Sequence, residues 1–488
     1  MSNIKYHSVT DFSAKLKAFS YQHEAFMALK DKLYAAIFHE QGLGKTKIAI
    51  DLLLYWLQKK DIDTVLVVTK KTLVRNWCSE FEVHTNIRPK TLDSHHGNNF
   101  YVLNSPVRVI ITNFETVSGE KERMKLFLKT RNVAIIIDES TKIKNPESKL
   151  TQDFFELSDL FRIRVIMTGT PVANRPYDLW SQIYFLDKGN SLGTDFISFK
   201  HDFDLSNDLA TNMERRNTFE AKLSDLFEKI RHFSVRETKN SGIISLPDKI
   251  YHDLHVGFEI KQKEMYEKVR TEMQILIEQG DETVLDESQE AIKRLLRLVQ
   301  ISSNPKLLDE SYDESSAKEL LLDHTIKPLL EKGEKVIVWS IFTSNVDYFT
   351  RKYKSYHAVR ISGKMSIEDR QRSVDAFKKG DSQILFATPQ SAKEGLTLTV
   401  ASNAIFYDRG FNLDDYLQAQ DRIHRISQKK DCHIYNLMVE DSIDEWVDVL
   451  LKAKQRAAFL AQGDINLASY RECADYSFAE IVHNILNI

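Results

Sequence analysis

The sequence predicts an α/β protein: two parallel-sheet lobes in tandem, a helical insertion between them and a helical C-terminal tail. Three observations lead there. Short, nearly continuous apolar runs recur in the first third of the chain, as expected for strands buried on both faces of a parallel sheet. Stretches with helical spacing lie between these runs, the alternation of a doubly wound domain. The same rhythm returns in the last third.

The first series comprises 33–38 (LYAAIF), 64–69 (TVLVVT), 107–112 (VRVIIT), 132–138 (NVAIIID) and 164–169 (RVIMTG), with 45–59 as a helix. The second comprises 335–340, 358–362, 383–388, 403–408 and 432–438. Between them, 178–330 reads as mostly helical, with 261–279 and 290–300 as its clearest helices. The stretch 278–290 carries six acidic residues and no basic one, the pattern of a solvated loop or helix face. The expected division is 1–177 for the first lobe, 178–330 for the insertion, 331–440 for the second lobe and 441–488 for the tail.

Composition narrows the function classes. At roughly 150 residues per domain, 488 residues suggest about three domains. A chain 42% hydrophobic and 28% charged is neither disordered, collagen-like nor membrane-spanning. With 67 Lys plus Arg against 70 Asp plus Glu, the net charge is -3, so any nucleic-acid surface must be local. Cys78, Cys432 and Cys473 lie far apart and lack metal-ligand spacing, which suggests a reducing compartment. The N-terminal stretch is not a signal peptide.

The chemistry-bearing residues come next. Gln41-Gly42-Leu43-Gly44-Lys45-Thr46 is a compact phosphate-binding loop between a buried strand and an amphipathic helix. Its glycines let backbone N–H groups turn onto phosphate oxygens, Lys45 supplies charge for the β/γ-phosphates, and the Thr46 hydroxyl can ligate magnesium. The helix that follows aims its positive end at the anion. About 90 residues later an apolar strand ends in Asp138-Glu139. Asp138 fits the magnesium-holding acid, and Glu139 the base that orients the attacking water. In the second series, Arg422 and Arg425 stand three residues apart, which on a helix places both guanidinium groups on one face. Two such groups suit the charge that develops on a transferring phosphoryl group.

The ordered set closely resembles the Swi/Snf-type ATPases of helicase superfamily 2, over about residues 19–447. The carriers are Tyr21-Gln22, 39–46 (HEQGLGKT), 65–81 with Asn76-Trp77 and Glu80-Phe81, 110–117 (IITNFETV) and 138–145 (DESTKIKN). They continue with 167–174 (MTGTPVAN), 295–308 with Asn304-Pro305 as a brace, Ser362-Gly363, Arg370, Phe377, 395–399 (GLTLT) and 418–428 (QAQDRIHRISQ). The resemblance implies two RecA-like lobes with ATP and Mg2+ held between them, closing around the nucleotide. It makes Gln22 the adenine reader, Thr168-Gly169-Thr170 and Gln428 coupling residues, and double-stranded or branched DNA the partner of a monomer. The implied DNA contacts are Thr69, Lys70, Lys71, Asn113, Lys142, Lys144, Thr343, Lys364, Lys393 and Thr397, at strand ends and loops where phosphate contacts position without reading sequence.

Some positions depart from the family pattern. Thr141 stands where many relatives have His, Ala392-Lys393 where a Gly pair is usual, and Gly-Leu-Thr where Gly-Leu-Asn is common. That wording resembles the annealing-helicase-like and phage or bacterial branch. The expected activity is DNA-dependent ATP hydrolysis that drives double-stranded DNA translocation, with fork regression, branch migration or annealing as output. A strand-separating DNA or RNA helicase is the alternative, and a non-catalytic DNA scaffold the third reading. The expected location is the cytoplasm of a bacterial or phage-infected cell, or the nucleus of a eukaryote.

Overall fold

The computed structural model describes residues 11–205, 209, 211–241, 246–278, 289–363, 365–391, 396–425 and 427–476. The chain forms two compact units. The first comprises Met1–Leu205, Asn217–Ile244 and Ala457–Arg471; the second comprises Ser206–Arg216, Ser245–Arg456 and Glu472–Ile488.

The first unit is built on β1 (Tyr34–Ile37), β2 (Thr64–Thr69), β3 (Lys90–Thr91), β4 (Val109–Asn113), β5 (Val133–Asp138), β6 (Ile163–Met167) and β7 (Ser234–Val235). They form one seven-stranded sheet in the order β3-β4-β2-β5-β6-β1-β7, and every pairing is parallel. Parallel strands need crossovers, and these are helical. β2, β4 and β5 are buried at every position, which explains their unbroken apolar runs. The Lys45–Lys59 helix buries Ile48, Leu52, Leu53 and Trp56 against that sheet and the Ser20–Leu29 helix.

The second unit carries β8 (Lys249–Val256), β9 (Val336–Trp339), β10 (Val359–Ile361), β11 (Ile384–Ala387), β12 (Asn403–Phe406) and β13 (Cys432–Val439). The order is β10-β11-β9-β12-β13-β8, again all parallel. Side chains alternate between two cores: Ile337, Trp339, Leu385 and Phe406 fill one face, Val336, Val338, Phe386 and Ile405 the other. Behind β12, buried Asp408 accepts hydrogen bonds from Ser303 Oγ (2.7 Å), Ser340 Oγ (2.7 Å) and the Ile341 N–H (2.6 Å). Asn304 Nδ2 donates to Asn345 Oδ1 at 2.9 Å, so the Asn304-Pro305 element is fastened inside this unit.

The stretch 178–330, expected as a mostly helical insertion, carries two strands as well. It is divided between the two units, and it supplies an edge strand to each sheet: β7 beside β1 and β8 beside β13. β7 has only two residues, and β8 mixes polar and apolar residues on an edge with no buried position, so neither gives the continuous apolar signal of a central strand. The helices expected at 261–279 and 290–300 are Ile260–Glu278 and Gln289–Ser303; most of the acidic stretch 278–290 lies outside the described residues. The tail contains the helices Ile443–Ala461 and Leu467–Cys473. No helix among the described residues is long and apolar enough to cross a membrane.

Candidate active site

In the first unit the site grows from the carboxyl ends of β1, β5 and β6, where parallel sheets bind ligands. The chain leaves β1 into the 38–44 loop. Gly42 and Gly44 have φ of 90° and 69°, and Gly44 precedes the Lys45–Lys59 helix in the left-handed conformation. An added Cβ at Gly44 would collide with Gln22 Nε2, so Gln22 lies directly on the phosphate loop. Gln22 is 5% exposed; its Oε1 accepts from the Phe19 N–H at 3.0 Å and its Nε2 donates to the Tyr21 hydroxyl at 3.3 Å.

Lys45 Nζ donates to the His39 and Glu40 carbonyls at 2.9 and 3.3 Å. Burial lowers the proton affinity of Lys45, while the carboxylates of Glu139 and Asp138 act in the opposite sense. The loop lysine therefore feels both acids at the end of β5. Burial, reinforced by the charge of Glu139, raises the Asp138 pKa to about 6. Two donors restrain Asp138: Trp77 Nε1 at 2.8 Å and Thr69 Oγ1 at 3.0 Å, both on Oδ2. Glu139 has φ of 58°, a left-handed backbone uncommon for a residue with a Cβ and frequent at functional sites. Its carboxylate lies 3.5 Å from Lys70 Nζ.

The loop after β6 completes the floor. Thr168 is fully buried, and its hydroxyl accepts from the Thr170 N–H at 3.3 Å. An added Cβ at Gly169 would stand 2.7 Å from Gln41 Cγ and 3.3 Å from Lys45 Nζ, so this segment touches the phosphate loop itself. Sequence reasoning missed the support under β1. Arg236 donates to the Phe38 carbonyl at 2.8 Å and forms an ion pair with Asp464, 228 residues away, at 2.6 and 2.5 Å. No local signal marks a partnership of that span.

In the second unit Arg422 and Arg425 come together, but not on a helix. The Leu413–Gln420 helix stops before them. The backbone tightens into turns, with the Arg422 N–H on the Ala419 carbonyl at 3.3 Å, and the Arg422 carbonyl is taken by the Leu398 N–H at 2.9 Å. The helical expectation is therefore corrected: both arginines lie in the turns that follow the helix. Both guanidinium groups reach one short loop: Arg422 Nη1 donates to the Leu396 carbonyl at 3.3 Å, Arg425 Nη1 to Thr397 Oγ1 at 2.9 Å. Gln428 holds the turn in place. Its Nε2 donates to the carbonyls of Thr399, Ala401 and Ile423 (3.4, 2.9 and 3.1 Å), and its Oε1 accepts from the N–H groups of Lys429 and Lys430 (2.9 and 3.0 Å).

Several expected DNA contacts have other partners. Thr69 is corrected: it is fully buried, and its hydroxyl serves Asp138. The Thr397 hydroxyl serves Arg425. Asn113 is 7% exposed and caps the Phe114–Gly119 helix, accepting from the Thr116 N–H at 3.0 Å. Lys144 pairs with Asp178 at 2.9 Å, and Lys142 with Glu115 at 3.2 Å. Thr343 opens the Thr343–Lys352 helix just after β9, half-buried. Lys364 and Lys393 lie outside the described residues.

Among the described residues no group of three His, Cys, Asp or Glu side chains could cage a metal ion. Magnesium that arrives with a nucleotide needs no such cage, since that ion takes few protein ligands and shares phosphate oxygens; Asp138 and Thr46 are oxygen donors of the kind it takes.

A glycine-lined loop feeding a helix, beside a strand ending in two acids in an all-parallel sheet, defines an ATP-binding lobe of the RecA-like class. The comparisons agree with that class. Residues 22–307 match the SNF2-related domain and residues 317–427 the helicase conserved C-terminal domain. The chain belongs to the SNF2-related family, the Swi/Snf-type ATPases of helicase superfamily 2. It is 28% identical over 88% of its length to the ISWI chromatin-remodeling complex ATPase ISW1 of Saccharomyces cerevisiae. It is 27% identical over 89% of its length to an uncharacterized ATP-dependent helicase of Mycoplasma pneumoniae. The chain spans about two fifths of the length of these relatives, 38% and 41% respectively. It is also similar to the Sulfolobus solfataricus SWI2/SNF2 ATPase core in complex with dsDNA, at 23% identity and a TM-score of 0.43, with 97% of each chain covered.

Proposed function

We propose that this chain hydrolyses ATP in response to double-stranded DNA and uses the energy to translocate along the duplex. The observation that carries the reading is the cluster at the end of β5: Asp138 and Glu139 both act electrostatically on Lys45 of the phosphate loop. Lys45 would hold the β/γ-phosphates and Gln22 the adenine edge. Asp138 and Thr46 would hold magnesium, which when bound neutralises phosphate charge. Glu139 would take a proton from water as the water oxygen bonds to the γ-phosphorus. The bond from that phosphorus to the β,γ-bridging oxygen breaks, leaving ADP and inorganic phosphate. Arg422 and Arg425 would stabilise the charge that builds on the moving phosphoryl group. Thr168 to Thr170 would report the phosphate state, given that Gly169 lies against Gln41 and Lys45.

The DNA reading draws on the family and on the relatives' names. Lys70, Lys71, Lys142, Lys144 and Thr343 remain its candidate phosphate contacts, together with Lys364 and Lys393. Fork regression, branch migration or annealing are the outputs we propose, as consequences of drawing duplex past a junction. The test is ATP turnover with single-stranded, duplex, forked and four-way DNA and with RNA. Duplex or forked DNA should raise the rate strongly, with the stimulation falling steeply as salt increases. Lys45→Ala and Glu139→Gln should abolish turnover. A wild-type rate that is the same with and without any nucleic acid would sink the reading.

A further inference from the structure

Asn76-Trp77 marks the family in sequence, yet nothing in the motif itself says what the tryptophan does. In the structure Trp77 sits on the Val74–His84 helix, 1% exposed, with its ring beside Phe81 at 6.2 Å between centroids. Its polar edge is not turned to water or to a backbone carbonyl. The indole N–H points at Asp138 Oδ2, 2.8 Å away and 61 residues distant in sequence. Thr69 Oγ1 reaches the same oxygen at 3.0 Å. None of the described residues donates to Oδ1. A bond from a buried neutral donor to a carboxylate is among the stronger hydrogen bonds and fixes orientation as well as energy.

Two donors on one oxygen make the carboxylate asymmetric. Oδ2 is held from the β2 side, and the group cannot rotate without breaking both bonds. Indole is a donor that cannot accept, so the bond has a single sense and persists as long as Asp138 keeps a lone pair there. Phenylalanine would fill most of the same apolar space and require no partner.

We infer that Trp77 is a positioning residue for the metal-holding carboxylate, fixing Asp138 Oδ2 so that Oδ1 is the oxygen offered to the magnesium–nucleotide complex. Thr69 assists it. The inference rests on the reading of Asp138 as the magnesium acid, and it adds the residues that aim that acid. Partners that orient a metal ligand act on metal affinity while leaving the fold intact.

The experiment uses the full chain and measures ADP binding by calorimetry twice, with magnesium and with a chelator, beside thermal unfolding. Wild type should bind ADP more tightly with magnesium. Trp77→Phe should lose about tenfold of that metal-dependent gain, leave chelator binding unchanged and keep a cooperative unfolding transition. Thr69→Val, nearly equal in shape, should shift the gain the same way by less. A Trp77→Phe protein that keeps the full gain overturns the inference alone, and so does one that loses both forms of binding equally, since that is general damage. If Trp77→Phe does not fold, Thr69→Val decides: an unchanged gain overturns the inference. A wild type that gains nothing from magnesium overturns this inference and the assignment of Asp138 together.

Discussion

In the first unit, the groups read as chemical stand at the ends of β1, β5 and β6, and side chains from other motifs restrain them. Trp77 and Thr69 hold Asp138, Lys70 stands beside Glu139, and Gln22 covers Gly44. In the second unit, the arginines follow a helix end. Carbonyl oxygens and one hydroxyl hold them, and Gln428 ties the turn to the 399–401 segment. A strand end inherits its place from sheet hydrogen bonds on both sides. A turn depends on a few local bonds. The first site should therefore tolerate loss of a neighbour better than the second, and loss of a chemical group should be equally severe in both.

The largest expected effect tests that last point. Arg422→Ala and Arg425→Ala should each lower ATP turnover by roughly 10²–10³-fold with nucleotide binding retained, the scale of removing one charge-stabilising donor. Single-turnover kinetics beside a binding isotherm checks it; equal loss of binding would place the arginines outside the chemical step.

Gln428→Ala probes the turn without touching a guanidinium group. Its amide makes five hydrogen bonds, two of them buried and three partly buried. Their loss should cost about 3 kcal/mol of stability and lower turnover with it. Denaturant unfolding measures the first. A stable variant with normal turnover would mean that the turn is held by other bonds.

His39 gives the first unit a pH signature of similar size. Burial, then the charge of Lys45, lowers its pKa from 6.5 to about 4, so it stays neutral in the fold. The unfolded chain takes up that proton near pH 6.5. The His39 contribution is therefore fully present above pH 6.5 and is lost as pH falls toward 4, by about 3 kcal/mol in all. Unfolding of wild type and His39→Gln across this range should converge as pH falls; parallel curves would remove His39 as the source.

The smallest effect concerns Lys70, whose side chain is 22% exposed and lies 3.5 Å from Glu139. Lys70→Ala should change stability by no more than about 1 kcal/mol. It should weaken DNA stimulation of turnover and lessen its salt dependence, a change read from the slope of rate against salt.

The order of residues along the chain already carried the α/β class, ten of the strands and the phosphate loop, because those signals are local. A strand buried on both faces must be apolar throughout, and a loop that cradles phosphate must have glycine where φ is positive. Gly42 and Gly44 could be read for that reason. Tertiary structure decided what depends on distance. β7 and β8 joined sheets whose other strands lie far away, Thr69 turned to Asp138 and away from solvent, and Arg236 found Asp464 across 228 residues. The end of the helix at Gln420 belongs with these. Helical spacing continues through Arg422 and Arg425, yet in the fold the chain has already passed into turns, against which another loop docks with the Leu398 N–H on the Arg422 carbonyl.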